Sequence, residues 1–161
     1  MRVYKFPQGI LYGAFSDTTS QAIAVANTPQ TITMNTTDIV DGVYLGSPTS
    51  RIYCPKSTNY DFQFSLAVQS TNASLKTICI WCRVDGVDVP NSATDLTLSG
   101  SGTQLVASWN FLLPMNAGQY FELVWASDST DVSLYYSAAQ TSPYARPAIP
   151  SVIMTVTQVN E

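Results

Sequence analysis

Histidine is absent from all 161 residues of this chain. That absence removes the Ser-His-Asp and Cys-His nucleophilic systems, histidine general bases and most zinc sites. Charge is scarce as well: charged residues make up 11%, less than half the usual share. Seven Lys and Arg against eleven Asp and Glu give a net charge of −4, which argues against a nucleic-acid surface. No apolar run is long enough for a membrane span. The opening stretch MRVYKFPQGILYGAF lacks an apolar core followed by a small-residue cleavage site, so it does not read as a signal peptide. There is no internal repeat, no coiled-coil heptad and no sustained helical periodicity. What is present is a 45% hydrophobic chain in which apolar residues alternate with Ser and Thr. Its length fits one compact domain with a buried core, and its composition an all-β one.

The three cysteines, Cys54, Cys79 and Cys82, cannot all pair within one chain. Cys79 and Cys82 have the spacing of a redox or zinc CxxC. They lie, however, in LKTICIWCRV, whose Ile, Trp and Val content reads as a strand. Strand positions three apart point to opposite faces, so the two sulfurs are expected to diverge as buried small hydrophobes. With no disulfide framework, the expected site of synthesis is a reducing cytosol.

Short strands separated by turn signals fill the chain. In residues 60–69, Tyr60, Phe62, Phe64, Leu66 and Val68 alternate with Asp61, Gln63, Ser65 and Gln69, the period of a half-buried strand. In residues 76–84, Ile78, Ile80, Cys82 and Val84 mark the expected core face. An Asp85-Gly86 hairpin turn follows. Further strands are expected at 94–98, 104–113, 120–126, 132–136 and 152–159, with weaker candidates at 22–26, 30–34, 43–45 and 51–54. Nine or ten short strands at this spacing predict a jelly-roll β-sandwich of two antiparallel sheets spanning residues 11–161. Residues 1–10 read as a short N-terminal arm. Val3, Tyr4, Phe6, Ile10 and Leu11 would dock on a neighbour or another protein, the alternative being a frayed terminus.

Three segments resemble the jelly roll shared by the complement C1q globular head and the tumour necrosis factor family. Residues 59–64, NYDFQF, resemble its Gly-x-Tyr-x-Phe strand, with Asn59 in place of Gly. Residues 109–123 resemble its paired strands around a Leu-x-x-Gly-Asp turn, with Gln119 in place of Asp. Residues 150–156 take the place of its closing strand without the Phe-x-Gly-Phe signature. A closer resemblance is to C1q-like virion proteins of bacteriophages, particularly marine and cyanobacterial phages. It is carried by residues 12–19 (YGAFSDTT), 46–52 (GSPTSRI), 84–94 (VDGVDVPNSAT), 109–111 (WNF) and 148–153 (AIPSVI). The resemblance implies a homotrimer on the outside of a phage particle, made in the host cytoplasm.

Asp85 with Asp88, and Asp128 with Asp131, are paired carboxylates. Such pairs serve glycoside hydrolysis or hold Ca²⁺, but Asp is also a common turn former, and the turn reading is the simpler one. Glu122 is expected to pair with Arg51 or Arg83, or to be solvated. Aromatic residues are the more informative group. Phe62, Phe64 and Phe111 are expected in the core. Residues 76–84 and 120–125 are apolar on both faces and so need covering twice, which a threefold subunit contact would supply. Sugar stacking on exposed Trp or Tyr is the rival account. The contact residues expected are Tyr4, Phe6, Tyr12, Phe15, Trp81, Tyr120 and Trp125. Together with the resemblance to phage virion proteins, these observations lead to the expectation of a non-enzymatic trimeric decoration or cement protein on the outer head surface, with itself and the major capsid protein as partners. No catalytic residue, cofactor, nucleic acid or membrane is expected. The alternative is a receptor- or glycan-binding head of a tail fibre or spike.

Overall fold

The computed structural model describes residues 9–159. Alternation of large apolar and small polar side chains turns these residues into fourteen strands: β1 (Tyr12–Asp17), β2 (Gln21–Ala22), β3 (Gln30–Thr31), β4 (Thr36–Asp41), β5 (Tyr44–Leu45), β6 (Ile52–Tyr53), β7 (Thr58–Ser70), β8 (Lys76–Val84), β9 (Val87–Asp88), β10 (Thr94–Leu98), β11 (Gln104–Met115), β12 (Tyr120–Ser127), β13 (Val132–Leu134) and β14 (Val152–Gln158). They form two antiparallel sheets. In the first, β7 pairs along its length with β11, and its other side pairs end to end with β14 and β13. Beyond β14 come β1 and β4, and beyond β13 comes β2. In the second, β8 and β12 form the centre, flanked by β10 and β9 on one side and by β6, β5 and β3 on the other.

The inward rows meet between the sheets. Tyr60, Phe62, Leu66 and Val68 of β7 are fully buried, as are Ile78, Ile80 and Cys82 of β8 and Val152 and Val156 of β14. The rings of Phe62 and Phe121 stack 4.1 Å apart at 11°, tying the middle of one sheet to the middle of the other. Phe64 meets Trp109 edge-on at 4.6 Å. Phe111 is only partly buried because it lies on β11, the edge of its sheet, although it packs against the core.

Two expected contact residues belong to this core. Phe15 is fully buried. Its ring folds back over Gly13, where an added Cβ would come within 2.8 Å of it. Trp125 is also fully buried, since it shares the inward face of β12 with Phe121 and Leu123. Neither side chain is available to another subunit. Tyr4 and Phe6, with most of the expected arm, lie outside the described residues.

The weaker strand candidates are mostly shorter than expected. Ile23, Ile32 and Met34 are buried, but from irregular backbone beside two-residue strands. Apolar content there reports burial, not pairing. Strands β1 and β4 are additional to those expected. β1 carries one large apolar side chain that faces inward, and β4 is an exposed edge with no buried residue, its Ile39 and Val40 included.

Removing the central stack tests this architecture. Phe62→Ala should cost about 3–5 kcal/mol of unfolding free energy, because the facing sheet cannot collapse into the void. Leu75→Ala, at an exposed loop position, should cost less than about 0.5 kcal/mol. Urea denaturation of both variants measures the difference.

Candidate functional site

The two sheets present very different outer faces. On the first sheet, the cross-strand row Asn110–Gln63–Thr155–Ala14 runs beside the row Ser108–Ser65–Ile153–Ser16. Across β11, β7, β14 and β1 the outward side chains are small or neutral, and Asp61 is the only charge. Its carboxylate accepts hydrogen bonds from the Gln63 and Asn110 amides, both at 2.8 Å. Tyr12, Val106, Leu112 and Ile153 stand exposed on the same face. Tyr12 is thus the one expected contact residue that this face contains.

The second sheet carries its aromatics outward in a ladder. Tyr44 stacks on Tyr53 at 5.2 Å, and Tyr53 meets Tyr120 at 5.4 Å. The Arg51 guanidinium lies 4.4 Å above the Tyr120 ring. Next to Tyr120 on this face, Glu122 is 5% exposed and accepts from Ser50 Oγ at 2.7 Å and Arg51 Nε at 3.4 Å. The choice between Arg51, Arg83 and solvent is therefore settled for Arg51, because the 48–51 turn folds over the sheet. Val124 is fully buried on this outward side, beside Trp81 in the ladder. The chain itself supplies that second cover, where a neighbouring subunit was expected.

Trp81 is half-buried and held in place. Its indole N–H donates to Asp88 Oδ1 at 2.7 Å, and Arg83 Nε donates to the same oxygen at 2.6 Å. Asp88 is brought there by a two-residue turn in which Asp85 and Gly86 both have positive φ, the geometry a tight hairpin needs. Hydrogen bonding from Arg83 first, then from Trp81, holds the Asp88 carboxyl below its usual value. Asp85 points elsewhere and accepts from Tyr120 N and the Gln119 amide. Asp128 accepts from Thr77 N, while Asp131 binds Ser129 Oγ and lies 3.9 Å from Lys76 Nζ. Each of the four carboxylates considered for Ca²⁺ is thus engaged by its own turn or a neighbouring strand. Among the described residues no group of three or more His, Cys, Asp or Glu is placed to hold a metal.

Cys82 faces the core and Cys79 the outer face, as strand alternation requires. Burial pushes the Cys54 thiol up to about 12 and the Cys82 thiol to about 11. Cys79 also reaches about 11, by burial and then by the nearby Asp95. Such thiols are poor nucleophiles at neutral pH.

Among solved structures, the globular domain of zebrafish complement 1qA protein superposes with a TM-score of 0.54. The match covers 95% of this chain and 99% of that one, at 11% sequence identity. The fold is a C1q-like jelly roll. No protein-family model matches the sequence, and no curated protein does. At this identity the likeness establishes the architecture alone, and the residues on each face are this chain's own. The position of Trp81 beside a carboxylate had a sequence signal, an Asp-Gly turn two residues before Asp88. The neutral face had a weaker one, the run of Ser, Thr, Gln and Ala between the apolar positions of β7, β11 and β14.

The Asp88 contact has a pH signature. Its folded value lies below the unfolded one, so its contribution is complete near neutrality and is lost as pH falls through the depressed value. An NMR titration should place the Asp88 carboxyl midpoint below 3.8, and Arg83→Gln should raise it.

Proposed function

We propose that this chain is a non-enzymatic structural module that assembles as a homotrimer and decorates the outer surface of a bacteriophage head. The observation that carries the self-association is the neutral outer face of the first sheet. Across β11, β7, β14 and β1 the short side chains let another backbone approach closely, and the one charge on those strands, Asp61, is already hydrogen-bonded, while the carboxylates Asp38 and Asp41 stand on β4 at the far edge. Burying those four strands therefore strips little ionic hydration, while the exposed Tyr12, Val106, Leu112 and Ile153 gain about 25 cal/mol for each Å² of apolar surface removed from water. The adjoining edge strand β11 spans twelve residues and pairs only on its β7 side among the described residues. An edge of one protomer against the face of the next is a heterologous contact, and a closed ring of such contacts is a cyclic oligomer. The C1q-like fold and the sequence resemblance support three as the number.

The head assignment rests on the resemblance of residues 12–19, 46–52, 84–94, 109–111 and 148–153 to phage virion proteins. In this reading the chain is made in the host cytoplasm, and each trimer bridges neighbouring major capsid subunits. Surface buried across their joints raises the barrier to shell rupture under the pressure of packaged DNA. Low charge suits that role, since few ionic groups need desolvation at the contact. Residues 1–10 serve as the arm.

Analytical ultracentrifugation at micromolar concentration should give a mass about three times 17.5 kDa. Ser65→Arg, which puts a charge at the centre of the neutral face, should sediment as a single chain that circular dichroism shows to be folded. A wild-type protein that sediments as a folded species of 17.5 kDa overturns the trimer.

Purified trimer mixed with expanded heads should bind saturably, and deletion of residues 1–10 should lower the occupancy. Failure of the intact protein to bind heads refutes the head assignment and leaves the trimer standing. Unchanged occupancy after the deletion removes the arm from the mechanism.

A further inference from the structure

The outer face of the second sheet contains an open groove of about 320 Å³, at the small end of ligand-site volumes. Trp81 and Cys79 line it from strand β8, and Val89, Ser92 and Ala93 line it from the connection between β9 and β10. The lining is largely apolar, with Asp88 and Asn91 at its polar positions.

Three features distinguish this groove from an incidental surface dip. The first is that its aromatic plate is fixed. The indole N–H of Trp81 is committed to Asp88, so the ring cannot swing without breaking a charge-assisted hydrogen bond. The second is that the opposite wall is fastened to the same strand. Val89 N–H donates to Cys82 O at 3.0 Å, while Ser92 Oγ accepts from Cys82 N–H at 3.2 Å and donates to Val89 O at 2.8 Å. Pro90 further limits the backbone between them. The third is that polar capacity is left over. Trp81 and Arg83 both bind Asp88 Oδ1, so Oδ2 has no donor among the described residues. The Asp88 side chain is 61% exposed. The Asn91 amide has no partner among the described residues either, and a positive φ of 62° holds that residue at the rim.

We propose that this groove binds one neutral pyranose ring of a glycan. A pyranose has one face of C–H bonds and a rim of hydroxyls. The C–H face matches the indole plate, and the hydroxyls match an ionised carboxylate that accepts and an amide that both donates and accepts. Other ligand classes fit less well. A phosphate or sulfate would meet the Asp88 carboxylate at the rim. A metal ion would find one carboxylate already compensated by Arg83. A purely aliphatic ligand would leave Asp88 and Asn91 desolvated and unpaired. The groove lies on the sheet opposite the neutral face, so a trimer built through that face leaves three copies open to the outside. This inference does not depend on the trimer. It assigns Trp81 to a ligand in place of a subunit contact.

The test uses the intact protein and three probes: methyl α-D-mannopyranoside, methyl β-D-galactopyranoside and methyl β-D-glucopyranoside. The readout is the Trp81 indole N–H resonance. Trp109 and Trp125 have buried indole nitrogens without partners among the described residues and serve as internal references. At least one probe should shift the Trp81 resonance saturably, with a Kd on the order of millimolar. Asp88→Asn and Asn91→Gly should each weaken that binding about tenfold with the fold and the sedimentation mass unchanged, Gly being chosen because it accepts the positive φ. Trp81→Ala should abolish binding as read by calorimetry. No saturable shift with any probe up to about 100 mM overturns the proposal, a limit far above the affinity expected. So does cyclohexanol binding as tightly as the best sugar and being indifferent to Asp88→Asn, which would mark a merely apolar groove. A monomer in the centrifuge with sugar binding retained would sink the trimer and leave this site standing.

Discussion

The stacked rings of Phe62 and Phe121 join two long strand pairs, one central to each sheet, β7 with β11 and β8 with β12. Once those rings are fixed face to face, strand alternation decides the direction of every other side chain on these strands. Shifting β7 by one residue would put Asp61, Gln63 and Ser65 inside and Phe62 and Phe64 in water. The register is therefore held by the largest apolar groups in the chain, and the two outer faces follow from it. What is exposed on β7 is whatever stands between its phenylalanines.

This explains how far the sequence could be read. The long strands were legible because they alternate strongly, and β8 and β10 match their expected limits to the residue. Strand β1 was not, because Gly13 and Phe15 share one side: a glycine makes room for a ring, and no periodic pair of large residues results. Strand β4 pairs at an edge where nothing forces an apolar face. The same limit applied to the aromatics. Phe15 and Trp125 were grouped with surface contacts by residue type, yet alternation within β12 places Trp125 with Phe121 and Leu123. The opposite case is Val124, whose outward position implied a partner, although Trp81 neighbours it and the chain itself buries it. Which turns fold over a sheet is a tertiary matter that local pattern does not encode. The Ser50–Glu122 hydrogen bond spans seventy-two positions.

The contrast between the two outer faces carries the functional argument. A face of Ser, Thr, Ala and Gln carries little ionic hydration, so it can lie flat on a protein surface at low desolvation cost. The opposite face has tyrosines in stacked contact, a buried carboxylate and a clamped indole, all held by hydrogen bonds. Rigid aromatic groups with adjoining polar atoms are suited to selective recognition, because little side-chain freedom is lost on binding. The proposed module, which assembles through one face and displays the other, rests on this asymmetry.

The scarcity of charge sharpens that division. Most of the carboxylates with resolved partners are spent on local structure. Asp17 accepts from Thr19 and Gln21, Asp85 from the Gln119–Tyr120 backbone and side chain, Asp128 from Thr77 and Glu122 from Ser50. A carboxylate used in this way is fixed in place by its donors, and moving it would cost those hydrogen bonds. With no imidazole in the sequence and thiols held near 11 or above, little acid–base capacity is left at neutral pH. In the proposed non-enzymatic reading, shape, apolar area and aromatic surface are the means by which this molecule acts, and Asp88 is the exception that matters. It is the one carboxylate here that fixes an aromatic plate and still keeps an oxygen free beside it.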